Sequence, residues 1–140
     1  MRRRPTRYRG RPDTELVIVL DCADLDRAGS FWCAALGYTE PAAEGPNGPY
    51  RALLPADGDG IEILLQRVPE PHRVKNRVHL DLRTSDLDEE VTRLLAAGAT
   101  QQMTEPVRED GWVWHVLSDP DGNEFCVLQP PTSRRSTVDP

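Results

Sequence analysis

The aliphatic run Leu16–Leu20 predicts a strand, and directly after it the apolar spacing changes. Leu25, Ala28, Phe31, Trp32, Ala35 and Leu36 recur at the three-and-four spacing of one helical face, with Asp24 as the N-cap and Gly37 as the stop. Strands are predicted at 38–44, 50–54 and 61–66, separated by the turn-forming segments GPNGP (45–49) and PADGDG (55–60). The same order then recurs. A strand at 77–83 leads to an Asp86 cap with Glu89 three residues on, a variant of the capping box. The helix that follows carries Leu87, Val91, Leu94 and Leu95 on one face and ends at Gly98. Strands follow at 100–107, 112–117 and 124–129, the last two joined by the turn DPDG at 119–122.

The caps Asp24 and Asp86 stand 62 residues apart, and the segments DLDR (24–27) and DLDE (86–89) correspond almost residue for residue. Duplication of one βαβββ module accounts for this, since a single module leaves a sheet with only one face covered. The expected architecture is therefore α+β: two βαβββ modules forming a curved mixed sheet around a cavity. The expected boundaries are a basic arm at 1–13, module one at 14–67, a linker at 68–76, module two at 77–131 and a tail at 132–140.

A chain of 140 residues buries enough surface to fold without a metal or a disulfide, so stability alone demands no ligand. No apolar run approaches the roughly 20 residues of a membrane span, which points to a soluble protein with no membrane partner. Cys22, Cys33 and Cys126 are odd in number and have no metal-type spacing, which fits a reducing cytoplasm. The net charge is −6, of which the arm, with six arginines and one acid, contributes +5 and the rest −11. An acidic body excludes general nucleic-acid binding. The arm reads as a solvated tail; a protein-interaction module built on it is the competing reading, and the apolar run after it is too short for a signal peptide.

Strand alternation sends Val78, Leu80 and Leu82 toward the helices and His79, Asp81 and Arg83 to the other face. In the first copy Leu16, Ile18 and Leu20 point inward, and Val17, Val19 and Asp21 point across. Glu62 and Gln66 share that second face, as does Cys126 in the last strand. Curved sheets would gather His79, Asp81, Arg83, Glu62, Gln66 and Cys126 into a ligand pocket, whereas a flat sheet with one face in water alternates identically. His79 with Glu62 or Asp81 would make an imidazole–carboxylate pair suited to proton transfer beside a carbonyl, or a structural histidine. Cys126 reads as a nucleophile or as an inert buried thiol. Trp32 lies on the helix stripe and is expected in the core, whereas Trp112 and Trp114 share a strand face as core or as pocket wall, with His115 opposite. The DGDG at 57–60 is a turn, misplaced for a calcium loop, and Ser30 has no nucleophile-elbow context.

Three segments, LDCADLDRAGSFWCAALGY (20–38), VHLDLRTSDLDEEVTRLLAAGA (78–99) and LSDPDGNEFCVLQP (117–130), resemble the vicinal oxygen chelate superfamily, the glyoxalase, bleomycin-resistance and extradiol-dioxygenase group. The resemblance covers most of residues 14–131 and implies the glyoxalase-type fold, with homodimers common. In metal-dependent members one ligand comes from the first and last strand of each module; those positions fall on Val17, Glu62, His79 and Cys126. Glu62 and His79 match the family's ligand types, Val17 cannot bind a metal, and Cys126 stands where members often have glutamate. Two protein ligands seldom hold an octahedral ion, although a Glu, His and Cys set would suit Zn²⁺.

The resulting expectation is a glyoxalase-like protein that binds a small molecule and needs no cofactor. It would sequester that ligand, an antibiotic cation drawn by the acidic body for example, or act on it by acid–base chemistry with His79 and Glu62, beside Asp81, Arg83, Gln66, Val17, Trp112, Trp114 and Cys126. The alternative is a divalent-metal-dependent lyase, isomerase or dioxygenase with Glu62 and His79 as ligands.

Overall fold

Asp24 starts the first helix because its carboxylate accepts hydrogen bonds from the backbone N–H groups of Asp26 and Arg27, two of the donors a helix N-terminus leaves unpaired. The helix, α1 (Leu25–Leu36), ends where Gly37 takes a left-handed conformation at φ 68°. In this computed structural model, residues 14–41 and 48–132 are described. The arm at 1–13, most of the tail, part of the strand expected at 38–44 and part of the 45–49 turn lie outside the described residues. The chain divides into two compact units, one ending at Pro71 and the other beginning at His72.

In the first unit β1 (Val17–Cys22), β2 (Tyr38–Thr39), β3 (Tyr50–Pro55) and β4 (Glu62–Arg67) form a mixed sheet in the order β1-β4-β3-β2. β1 runs parallel to β4, and the other pairs are antiparallel. The apolar stripe of α1 is buried as its spacing requires, with Phe31 and Trp32 each only 1% exposed and their rings edge to face at 5.1 Å. Full burial of side chains of this kind is worth roughly 1.5–3 kcal/mol each. Ile63 and Leu65 of β4 supply the sheet side of this core.

The second unit repeats the order with β5 (Leu80–Arg83), α2 (Leu87–Ala97), β6 (Thr100–Gln101), β7 (Val107–Glu109), β8 (Trp112–Ser118) and β9 (Glu124–Gln129). Its sheet runs β5-β9-β8-β6, with β7 also pairing β8, and β5 is parallel to β9 as β1 is to β4. Asp86 accepts from the Glu89 N–H to start α2, whose Leu87, Val91 and Leu94 are buried, and α2 lies against β9 and β8. Phe125, Val127 and Leu117 form the buried sheet face.

Two predicted strands are shorter or broken. The strand expected at 100–107 splits into β6 and β7, because Pro106 has no N–H to offer a ladder. After β7, Asp110 and Gly111 take φ 51° and 82°, which makes the two-residue hairpin turn that leads into β8. The strand expected at 77–83 begins only at Leu80, and Val78 is 81% exposed instead of packed on a helix. The preceding segment is held elsewhere: His72 Nε2 and Asn76 Oδ1 lie 2.7 Å apart, and Asn76 donates to the Glu124 carbonyl.

Candidate functional site

In the second unit, alternation along β5 and β9 and the pairing of Asp81 with Cys126 decide which side chains meet. Asp81 and Arg83, with Cys126, Leu128, Trp112 and Trp114, fall on the face away from Phe125, Val127 and Leu117. His79, one residue before β5, joins them: its Nδ1 lies 3.3 Å from Asp81 Oδ1 and 4.0 Å from Cys126 Sγ. One donor atom from each of His79, Asp81 and Cys126 can be chosen so that all three lie within 4.8 Å of one another. Cys126 is buried at 8% exposure, whereas the His79 and Asp81 side chains are about half exposed at 48% and 47%.

Burial pushes the Cys126 thiol above its ordinary pKa, and the charge and hydrogen bond of Asp81, with the charge of Glu124, push the same way; Lys75 opposes them. A thiol in that setting stays protonated at neutral pH. It is therefore a poor free nucleophile, and as a metal ligand it would need the cation to displace its proton. Both Asp81 and Cys126 approach the same imidazole nitrogen, so the three do not form a triad in which thiol and carboxylate take opposite ends of the ring.

On the same face the Arg83 guanidinium lies over the Trp112 ring, 5.0 Å from its centroid. Trp114 stands two residues further along that face, half-buried like Trp112, while His115 is buried on the helix side with Nδ1 3.2 Å from Gln101 Nε2. His115 is thus a structural histidine. Residue spacing gave no sign of the Arg83–Trp112 contact, since β5 and β8 are brought together only through β9.

The first unit places Val17 directly beside Glu62, and Asp21 beside Gln66, which is itself opposite Tyr50. Glu62 and Gln66 are half-buried on the face away from Ile63 and Leu65. This unit also holds a cavity of about 270 Å³ lined by Leu36, Tyr38, Pro55, Asp57 and Asp59 among others. Its lining comes from the end of α1, from β2 and from the end of β3 with the turn that follows, the Asp57 carboxylate accepting from the Asp59 N–H and the Tyr38 hydroxyl donating to the Ile61 carbonyl. No helix of the described residues is long and apolar enough to cross a membrane.

Several solved structures share this fold. A variant of the fosfomycin resistance protein FosX from Listeria monocytogenes, complexed with Mn(II) and 1S,2S-dihydroxypropylphosphonic acid, superposes at a TM-score of 0.67 with 19% identity, over 88% of this chain and 94% of that one. A glyoxalase/bleomycin resistance protein/dioxygenase family enzyme from Burkholderia phytofirmans does so at 0.64 with 20% identity, over 81% and 95%. TioX from Micromonospora gives 0.57 and 21%, over 83% and 98%. No curated protein matches the chain by sequence. The model of the glyoxalase-like domain matches residues 17–128. With its paired sheet modules and this match over most of its length, the chain belongs to the glyoxalase-like domain family of the vicinal oxygen chelate superfamily.

Proposed function

We propose that this chain is a glyoxalase-like small-molecule-binding protein whose ligand rests on the second sheet's face bearing His79, Asp81, Cys126, Trp112 and Trp114. The observation that carries the reading is the 3.3 Å approach of His79 Nδ1 to Asp81 on that face. A carboxylate at Nδ1 selects the tautomer with its proton there and leaves Nε2 as an acceptor, the arrangement of a general base. The ligand is either held or loses a proton to Nε2 from a carbon beside a carbonyl. Modules 14–67 and 77–131 joined by a 68–76 linker, a homodimer and a reducing cytoplasm complete the reading; three free cysteines support the last.

Intrinsic fluorescence tests it. Titrating the full chain with uncharged aromatic carbonyl compounds should change the emission saturably, and Trp112→Phe with Trp114→Phe should remove the change. A flat response across the panel rejects the reading.

A second reading, a divalent-metal enzyme, is favoured by the convergence of the His79, Asp81 and Cys126 donors. A nitrogen, oxygen and sulfur set fits Zn²⁺ and does not fit Mn²⁺, which prefers oxygen and imidazole ligands. Zn²⁺ held by these three residues would supply Lewis acidity to a ligand oxygen. Stoichiometric zinc after dialysis, lost in both His79→Ala and Cys126→Ser, would support this reading; zinc absent from the unaltered chain after loading and dialysis rejects it.

A further inference from the structure

Arg83 is a cation of unusual setting in an acidic chain. Its guanidinium lies over Trp112, and among the described residues no carboxylate pairs with it. Asp81 is the carboxylate two positions along the same strand face, and it is engaged by His79 at 3.3 Å. The contact with the indole face consumes none of the N–H donors of this exposed guanidinium, which lie in its own plane and point outward from its edge. That leaves a fork of donors whose geometry matches the two oxygens of a carboxylate, or two of a phosphate or phosphonate. The Trp112 contact offsets part of the entropy that ordering a long arginine side chain costs, so an arriving oxyanion has less of it to meet.

From this geometry we infer that the ligand is a small organic oxyanion, gripped through its acid group by Arg83 and laid with its flat or apolar body along Trp114. The inference rests on the proposed function and narrows it to a substrate class. Whole-chain charge of −6 argues for a cation, but that field is screened beyond about 8 Å at physiological ionic strength, whereas Arg83 acts at contact. The local cation therefore decides. It also places the acid group on the same face as His79, so that an α-hydrogen of a keto acid or a comparable carbonyl acid would lie on the base's side of the sheet.

Calorimetric titration of the full chain with benzoate, benzamide and benzylamine, three probes of one shape and different charge, tests this. Benzoate should bind at least about tenfold tighter than benzamide, the yield of one good charge-assisted pair, and benzylamine weakest. Arg83→Gln should abolish the benzoate preference, bringing benzoate down to the affinity of benzamide for the same variant, and Arg83→Lys should restore only part of it, because an ammonium lacks the fork. The preference should also shrink as salt rises. If benzamide and benzylamine bind as well as benzoate, or if Arg83→Gln keeps the benzoate preference, this inference falls and the binding reading stands. If none of the three binds, both fall.

Discussion

His79 and Asp81 stand two residues apart on one face, with imidazole Nδ1 3.3 Å from carboxylate Oδ1, and the Cys126 thiol lies beneath them at 4.0 Å from the same nitrogen. A half-exposed pair thus caps a buried sulfur. The consequence is a thiol whose ionisation is opposed both by burial and by the adjacent carboxylate.

Cys126 should therefore react with alkylating agents only at pH above the range of an ordinary thiol, burial being the larger cause and Asp81 the next. In Asp81→Asn the charge contribution goes and the burial contribution stays. The pH midpoint of Cys126 alkylation, followed by peptide mass spectrometry, should fall in the variant yet remain above that of a free thiol. An unchanged midpoint would show that Asp81 does not act on the sulfur. Since the folded thiol is raised above its unfolded value, this group favours the folded state as long as it stays protonated in the unfolded chain too. As pH rises from the unfolded thiol's pKa to the higher folded one, the unfolded chain alone ionises and stability falls; above the folded pKa the loss is complete.

The two helix starts should prove similarly sensitive. Asp24 accepts from two backbone N–H groups and Asp86 from one. Asp24→Ala and Asp86→Ala should each lower stability by about 1 kcal/mol in urea unfolding. Restoration by Asn, which also caps, would assign the loss to the hydrogen bonds and not to charge.

Two glycines with similar backbone angles should differ in how they tolerate a methyl group. Gly37 has φ 68° and open space where a Cβ would stand, so Gly37→Ala should cost only the left-handed penalty, about 1 kcal/mol. Gly111 has φ 82°, and a Cβ there would come within 3.0 Å of Pro131 Cγ. Gly111→Ala should cost measurably more, read as a lower midpoint in the same unfolding experiment. Equal losses would contradict the crowded hairpin.

Trp32 should be the least replaceable tryptophan. At 1% exposure it fills the α1 core, and Trp32→Ala should cost about 3–5 kcal/mol, against much less for the half-buried Trp112 and Trp114.

The helices were readable from spacing and caps because each depends on local chemistry: Asp24 to Gly37 and Asp86 to Gly98 mark their ends in the chain itself. Duplication was readable for the same reason. Strand ends were less so. The break between β6 and β7 turns on Pro106, whose missing N–H removes a ladder bond, while the Asp110–Gly111 hairpin falls in the gap between the strands expected at 100–107 and 112–117. The late start of β5 depends on Asn76 binding the Glu124 carbonyl, a contact 48 residues distant. Alternation did put His79, Asp81, Arg83 and Cys126 on one face. That Asp81 and Cys126 converge on one nitrogen of His79, and that Arg83 leaves Asp81 for Trp112, follows from cross-strand register, which a single chain's spacing does not contain.

The indole N–H signals of Trp32, Trp112 and Trp114, observed by nuclear magnetic resonance while benzamide is added, test the central claim most directly. Ligand binding on the second sheet's face predicts that the Trp112 and Trp114 signals shift saturably and that of core-bound Trp32 stays still. Three unmoved indole signals, with any perturbation confined to the cavity around Tyr38 and Pro55, would contradict it.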